Sequence, residues 1–95
     1  MEKQDLNNFI SIVNYIGKVD NGVAVDLSLK VKDELFNIIY WFDKNENYKM
    51  SIDEKFLKKY NINNIYEYKN YKKLAYYIHN FIITDKEQLF EDFNL

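Results

Sequence analysis

Residues 23–32 have the sequence VAVDLSLKVK, in which Val and Leu alternate with smaller or polar side chains. Alternation with a period of two residues is typical of a β-strand that has one buried face and one wet face. The tripeptide Asp20-Asn21-Gly22 directly before it has the composition of a tight turn. This stretch therefore predicts a half-buried strand, and the rest of the fold is built outward from it.

Two further strands are predicted after it. Residues 35–42 are apolar on both faces except at Asn37, which favours a central strand covered on both sides of the sheet. Residues 44–47 form a polar hairpin loop, and residues 48–53 return to strict alternation. The simplest arrangement is a three-stranded antiparallel meander with the second strand in the middle.

Helical patterns flank these strands. At the N-terminus, apolar residues recur at helical spacing and Gly17 follows as a candidate left-handed end residue; they are Leu6, Phe9, Ile10, Val13 and Ile16. Residues 54–61 predict a short helical turn with Asn61 or Asn63 at its end. Asn64 with Glu67 has the spacing of a capping box before a helix over 65–82, and Thr84 with Glu87 repeats that spacing before a last helix. We therefore expect one α+β domain over residues 1–95: an N-terminal helix, the meander and two C-terminal helices, in the order α-β-β-β-α-α.

Composition argues against catalysis. The 95 residues include no Cys, so neither a disulfide nor a thiolate metal site is expected, and His79 is the only histidine. A metal site needs three or four ligands and a nucleophile needs an oriented base, so we expect His79 to be structural, with no enzyme activity, no cofactor and no metal. The N-terminus has no signal-peptide pattern, which favours a cytoplasmic protein in a bacterial host cell.

Charge gives limited support to nucleic-acid binding. The net charge is −2, and all thirteen basic residues are Lys. Arg supplies the bidentate contacts to phosphate and guanine, so its absence argues against a dedicated nucleic-acid binder. A protein partner is the stronger expectation.

Three sets of surface residues are candidates for binding that partner. On the long helix, a stripe opposite the apolar face combines Tyr with Lys and Asn; it consists of Lys69, Lys73, Tyr76 and Asn80, with Tyr66 and Tyr77 at its margin. Carboxylates of the sheet-end loops form a second set, in particular Asp43, Glu46, Asp53 and Glu54. The C-terminal segment supplies the third, namely Asp85, Glu87, Glu91 and Asp92. For each set the alternative is an ordinary solvated surface.

The size, the predicted element order and the segment from Leu35 to Ile52 resemble the small phage-encoded anti-CRISPR inhibitor proteins. The resemblance implies an N-terminal helix, a three-stranded meander and two helices, and a protein that blocks an RNA-guided nuclease. It also implies that Asp43, Glu46, Asp53 and Glu54 contact a basic DNA-reading groove, with the C-terminal carboxylates as a second surface. The mild acidity of this chain makes a mixed aromatic and polar interface an equal alternative.

The leading hypothesis is therefore a non-enzymatic inhibitor of a host defence nuclease, encoded by a phage or mobile element. One alternative is an immunity or antitoxin protein that neutralises a toxin. Another is a small nucleic-acid-binding regulator that uses the Lys-rich segments; its candidate residues are Lys58, Lys59, Lys69, Lys72 and Lys73. A homodimer formed through the tyrosine-bearing helix stays open beside all three.

Overall fold

A single antiparallel sheet forms the first half of the molecule. The computed structural model describes residues 9–31 and 33–95. Its strands are β1 (Phe9–Val19), β2 (Gly22–Val31), β3 (Glu34–Phe42) and β4 (Tyr48–Ile52). Each strand pairs with the next one along the chain, so the sheet order is β1-β2-β3-β4. The three predicted strands are present, and β1 adds a fourth one at the edge.

The predicted N-terminal helix is wrong. From Phe9 onward the chain pairs with β2 in an antiparallel ladder that ends at Val19, opposite Gly22. Gly17, predicted as a left-handed helix end, lies within β1, and no described glycine has a positive φ. Leu6 lies outside the described residues.

A β-bulge explains why this strand has the pattern of a helix. Val13 lies opposite Leu27 and Tyr15 lies opposite Asp26, so Asn14 is an extra residue in β1. The extra residue separates the inward positions Val13 and Ile16 by three residues, where an unbroken strand separates them by two or four. Apolar residues that are three or four positions apart are typical of an amphipathic helix. The bulge therefore gives the sequence of this strand a helical pattern.

The second half of the chain is helical. Helix α1 spans Glu54–Tyr60, a 3-10 turn spans Ile65–Glu67, and α2 (Tyr71–Tyr77) runs directly into a π-helical turn at Ile78–Ile82. Helix α3 spans Lys86–Asp92. The predicted order α-β-β-β-α-α is thus wrong, because from Phe9 onward the described residues form four strands followed by three α-helices. No helix in the described ranges is both long and apolar enough to cross a lipid bilayer.

The helix ends that the sequence predicted agree with the structure only in part. Asn61 ends α1 in the left-handed region, with a φ of 53°, as its residue type favours. The Asn64 side chain accepts a hydrogen bond from the Tyr66 amide, but it caps only the 3-10 turn, so the single helix predicted over 65–82 is interrupted before Tyr71. Helix α3 begins after Asp85, and the capping box predicted at Thr84 is not its start.

Within residues 9–31 and 33–95, the helices cover one face of the sheet and leave the other uncovered. Inward residues of β2 and β3 pack with side chains of α1 and α2 in one buried cluster, which includes Leu27, Ile38, Tyr40, Phe42, Phe56, Leu74 and Ile78. On the opposite face of β3, Leu35 is 53% exposed and Ile39 is 42% exposed. The prediction that β3 is covered on both faces is therefore wrong.

Candidate functional site

The uncovered side of the sheet is the first candidate surface, and we call it the open face. Its large apolar members are Ile12, Tyr15, Leu35, Ile39 and Trp41. Ile12 and Tyr15 on β1 are more than 60% exposed, and Trp41 on β3 is partly buried. Alternation along the strands places these side chains on one side of the sheet, because the β2 residues that pair with them point away from the core.

A polar network lies in the middle of the open face. The Asn37 side-chain amide donates to the Asp26 carboxylate at 2.6 Å. The Asn14 amide donates to the Ser28 hydroxyl at 2.9 Å and lies 3.5 Å from the same carboxylate. The bulge brings Asn14 into this network, and its amide donors satisfy Asp26, so the centre of the open face is fixed in position.

Trp41 borders a depression of about 440 Å³ at one end of the open face. Its indole N–H donates to the Val19 carbonyl at 2.7 Å, which anchors the ring over the β1–β2 turn. The Lys49 ammonium lies 5.1 Å from the ring centroid, within cation–π range. Tyr15, Val19 and Ile39 add apolar lining, and Asp20 and Asp26 add two carboxylates. The depression is therefore largely aromatic and apolar, with groups of both charges in its lining.

The second candidate surface is a cavity of about 370 Å³ between the β3–β4 loop and α2. We call it the hairpin cleft. Aromatic rings line it from both sides, namely Tyr40, Phe42, Tyr48 and Tyr76, and polar groups are contributed by Asp43, Glu46, Asn47, Lys72, His79 and Asn80. The cleft lies on the helix-covered side of the sheet, away from the open face.

Hydrogen bonds between aromatic side chains order the inner wall of the hairpin cleft. The Tyr40 hydroxyl lies 3.1 Å from His79 Nδ1, and the Tyr48 hydroxyl lies 3.3 Å from the Tyr71 hydroxyl. The Tyr40 and Tyr48 rings are stacked, with centroids 5.8 Å apart. These contacts hold the rings in defined positions before any ligand arrives.

Burial and hydrogen bonding shift the pKa values of these groups. Burial raises the pKa of Tyr40, and the hydrogen bond to Tyr71 together with burial raises the pKa of Tyr48 to about 12. Burial, followed by the charge of Lys86, lowers the pKa of His79, against an opposing effect of Glu46. His79 is therefore neutral at pH 7.

The two carboxylates at the mouth of the cleft have different surroundings. Asp43 accepts hydrogen bonds from the Asn45 amide at 2.9 Å and from the backbone and side chain of Asn47 at 3.0 and 3.1 Å. Those bonds to Asn47 and Asn45 lower the pKa of Asp43. Glu46 is exposed, with a φ of 66°, and it makes no hydrogen bond or ion pair with any residue in the described ranges. Glu46 thus adds to the cleft a carboxylate that its own loop does not hold, and its charge acts on the imidazole of His79.

The structure brings together four of the predicted site residues. Asp43 and Glu46 from the loop meet Tyr76 and Asn80 from the helical segment around the hairpin cleft. The sequence assigned them to separate surfaces, because the packing of α2 against the β3–β4 loop is a long-range contact.

The other two loop carboxylates lie beyond the opposite end of β4. Asp53 accepts a hydrogen bond from the Asn37 backbone amide at 2.8 Å, and so it fixes the edge of the sheet. Glu54 forms an exposed ion pair of 3.2 Å with Lys58. The carboxylates predicted to form one acidic rim are therefore divided between two ends of the sheet.

The remaining predicted residues are dispersed over the helices. The Tyr66 hydroxyl accepts a hydrogen bond from the Met50 amide at 2.8 Å, so Tyr66 stabilises β4. Lys69 is exposed before α2, and Lys73 is partly buried on α2. The four carboxylates of the C-terminal segment are all exposed on or beside α3, where Asp92 accepts a bond from Gln88; they are Asp85, Glu87, Glu91 and Asp92.

Two lysines of the nucleic-acid alternative are paired with carboxylates. Lys58 pairs with Glu54, and Lys59 pairs with Glu34 across to the start of β3. Within the residues described, no group of three or more His, Asp or Glu side chains is arranged to hold a metal ion.

Sequence reasoning missed the open face. Leu35, Ile39 and Trp41 were recognised as apolar, but they were interpreted as covered by a second layer. Comparison of the chain with protein-family models, with curated proteins and with solved structures yields no match. The geometry of the two surfaces is accordingly what supports a function.

Proposed function

We propose that this protein is a non-enzymatic binding module that docks a partner protein on the open face of its sheet. The observation that supports the proposal is the set of four large apolar side chains that are 42–68% exposed on one face beside Trp41. Exposed apolar side chains that are grouped on one face of a soluble protein often mark an interaction site, and here they flank the central polar network on both sides. Tyr and Trp are also the residue types that contribute most to interface affinity.

The position of charge on the open face indicates the chemistry of the partner. The Asp26 carboxylate in the centre is satisfied by two amide side chains, whereas the ammonium groups of Lys30 and Lys49 are exposed near opposite ends of the apolar residues. Asp20 in the β1–β2 turn lines the depression at Trp41 together with Asp26. The two lysines at the ends of the face are complementary to an apolar protein surface that is bordered by carboxylates, and Asp20 offers one site for a basic group of the same partner. A second copy would present the same two lysines, which makes a different protein the better fit.

The part of the sequence resemblance that does not depend on the corrected element order, namely the chain's size and the segment from Leu35 to Ile52, suggests a candidate for that partner. It is an RNA-guided nuclease met in the cytoplasm of a bacterial host. On this narrower proposal, binding blocks the nuclease without any chemical step. The corresponding measurement is DNA cleavage by the purified nuclease at increasing molar ratios of this protein, where inhibition saturates near one equivalent.

The main test uses Ile39→Lys, which places a charge in the middle of the open face. Its matched control is Tyr76→Ser, because Tyr76 is 60% exposed on the other side of the sheet. A protein captured from bacterial lysate by the wild type is purified, and its Kd is measured for both variants. We expect Ile39→Lys to weaken binding by about a hundredfold or more, consistent with a loss of ~3 kcal/mol at an interface centre, and Tyr76→Ser to leave it unchanged.

Three outcomes contradict the proposal. The first is equal binding by Ile39→Lys and the wild type. The second is capture of no protein in an Ile39-dependent manner. The third is a dimeric mass for the wild type in solution that Ile39→Lys reduces to a monomer, because the occupant is then a second copy.

A further inference from the structure

We propose that the hairpin cleft is a binding site for a small organic cation with an alkylammonium head group, of the kind carried by choline. The cleft lies on the helix-covered side of the sheet and shares no lining residue with the depression at Trp41 on the open face. Its occupancy is therefore a separate property from docking on the open face, and either can fail without the other.

The aromatic lining of the hairpin cleft suits a cation. Rings of Tyr40, Phe42, Tyr48 and Tyr76 line the cavity, and the two exposed ones, Tyr48 and Tyr76, can offer negative π-faces that attract an alkylammonium group. Aromatic cages of this composition recognise quaternary ammonium groups because the ring faces replace part of the lost hydration.

The aromatic rings are held in place before binding. Tyr40 stacks on Tyr48 and lies within hydrogen-bond distance of His79, while Phe42 contacts the Phe90 ring edge-on with centroids 5.5 Å apart. Tyr40 and Phe42 are each only 1% exposed, so packing fixes the inner wall. A preformed site does not spend binding free energy on ordering its side chains.

The charges around the cavity also favour a cation. Besides the tyrosines, the ionisable lining groups are Asp43, Glu46, Lys72 and His79. The lowered pKa of His79 favours its neutral form near pH 7, and Lys72 is exposed, so its flexible side chain can extend its ammonium group into water. Two carboxylates thus face one ammonium group in the lining; Asp43 is held by its own loop, whereas Glu46 has no hydrogen-bond partner among the described residues.

The size of the cavity matches a small ligand. A volume of about 370 Å³ falls at the lower end of the roughly 300–1,000 Å³ that is usual for small-molecule sites. Because the cleft opens to solvent between the loop and α2, either a free small molecule or an alkylated lysine side chain of a peptide could present the head group. Their shared chemistry is the alkylammonium cation.

The test is a titration of the isotope-labelled protein with choline, followed by NMR signals of the Tyr76 and His79 rings. A parallel titration uses the neutral isostere in which carbon replaces the choline nitrogen. We expect saturable shifts with choline and a millimolar Kd, and binding of the isostere weaker by about fivefold or more, because it lacks the charge that the rings and Glu46 attract.

Three variants separate the effect of charge from that of shape. Glu46→Gln removes the free carboxylate at the mouth, and we expect it to weaken choline binding about three- to tenfold without affecting the isostere. Its control is Glu54→Gln, an exposed carboxylate beyond the other end of β4, which should leave both affinities unchanged. Tyr76→Leu keeps an apolar side chain but removes the π-face, and it should weaken choline more than the isostere.

Equal affinity for choline and its isostere would overturn the proposal, because the cleft would then be an apolar pocket only. Absence of saturable shifts up to roughly 50 mM choline would overturn it as well, since such a site is weaker than any millimolar Kd. A peptide with a trimethyllysine, compared with its unmodified form, identifies the source of the head group. Tighter binding of the modified peptide than of choline assigns the cleft to a protein side chain, and the reverse assigns it to a free molecule.

Discussion

At the scale of single residues, Gly22 is what allows Trp41 to close over the β1–β2 turn. A Cβ atom at Gly22 would lie 2.5 Å from the Phe42 carbonyl oxygen and 2.5 Å from the indole ring. The carbonyl is backbone of the adjacent strand and cannot move without distorting the sheet. The indole is tied down by its bond to Val19, so neither neighbour can give way.

Gly22→Ala should therefore lower the free energy of unfolding by about 2–4 kcal/mol, which is the range of severe overpacking. Gly17→Ala is the matched control. The three atoms nearest to a Cβ at Gly17 all belong to the Tyr15 side chain, the closest at 2.8 Å, and Tyr15 is 68% exposed, so its ring can rotate into solvent. We expect the control to cost less than about 1 kcal/mol in urea unfolding. Equal losses for the two variants would show that the contact at Trp41 is not the cause.

At the scale of elements, local chemistry made some of the fold predictable. The alternation over residues 23–32 identified β2, whose inward residues Val25, Leu27 and Leu29 are fully buried. The turn at Asp20 and Asn21 was also predicted, and both residues adopt positive φ. In these cases the residue type alone favours the observed backbone conformation.

Other elements were not predictable because a non-local contact decides them. β1 has helical spacing, and only its ladder with β2 absorbs Asn14 as a bulge residue. Which face of β3 is buried depends on the side of the sheet against which the three helices pack. Asp43, Glu46, Tyr76 and Asn80 were each identified from the sequence, but their meeting at the hairpin cleft depends on how α2 docks.

Lys86 stabilises the π-helical turn that follows α2. Its ammonium donates to the His79 carbonyl at 2.6 Å and to the Ile83 carbonyl at 2.9 Å, oxygens at a helix end that have few other donors. Lys86→Met should lower the free energy of unfolding by about 1–3 kcal/mol, because charge-assisted hydrogen bonds are lost.

The same substitution should raise the pKa of His79, because the charge of Lys86 helps to lower it. The pKa is measured by NMR titration of the imidazole signals, and stability by urea unfolding. Lys58→Met is the control, since Lys58 forms only an exposed ion pair with Glu54 and should change stability by less than ~0.5 kcal/mol. An unchanged His79 pKa in Lys86→Met would contradict the proposed contact.

At the scale of the whole molecule, the sheet separates two surfaces with different physics. The helix-covered side contains the core and the hairpin cleft, where burial perturbs the pKa values of Tyr40 and His79. On the open face, Asp26 is satisfied by neutral amides and the apolar residues stand in water. The pH dependence of folding should therefore report on the covered side, whereas docking should depend on the open face.

The hairpin cleft should limit stability at both ends of the pH range. On the acidic side, the pKa of His79 is lowered from the ordinary 6.5, so the unfolded chain binds the proton first and stability falls as the pH drops below about 7. On the alkaline side, the pKa values of Tyr40 and Tyr48 are raised above 10.0. The unfolded chain then loses its protons first, and stability falls as the pH rises past about 10.

Urea unfolding at a series of pH values measures this dependence. Two variants test which residue causes the acidic decline and which causes the alkaline decline. His79→Gln should flatten the decline between about pH 7 and 5, since carboxylates titrate mainly near 4 and below. Tyr40→Phe should reduce the decline above about pH 10, because it removes the phenol that burial keeps protonated. An acidic decline that survives in His79→Gln, or an alkaline decline that is unchanged in Tyr40→Phe, would mean that groups outside the cleft determine the pH dependence. The cleft would then be ordered by apolar packing alone, and its polar contacts would add little to the stability of the fold.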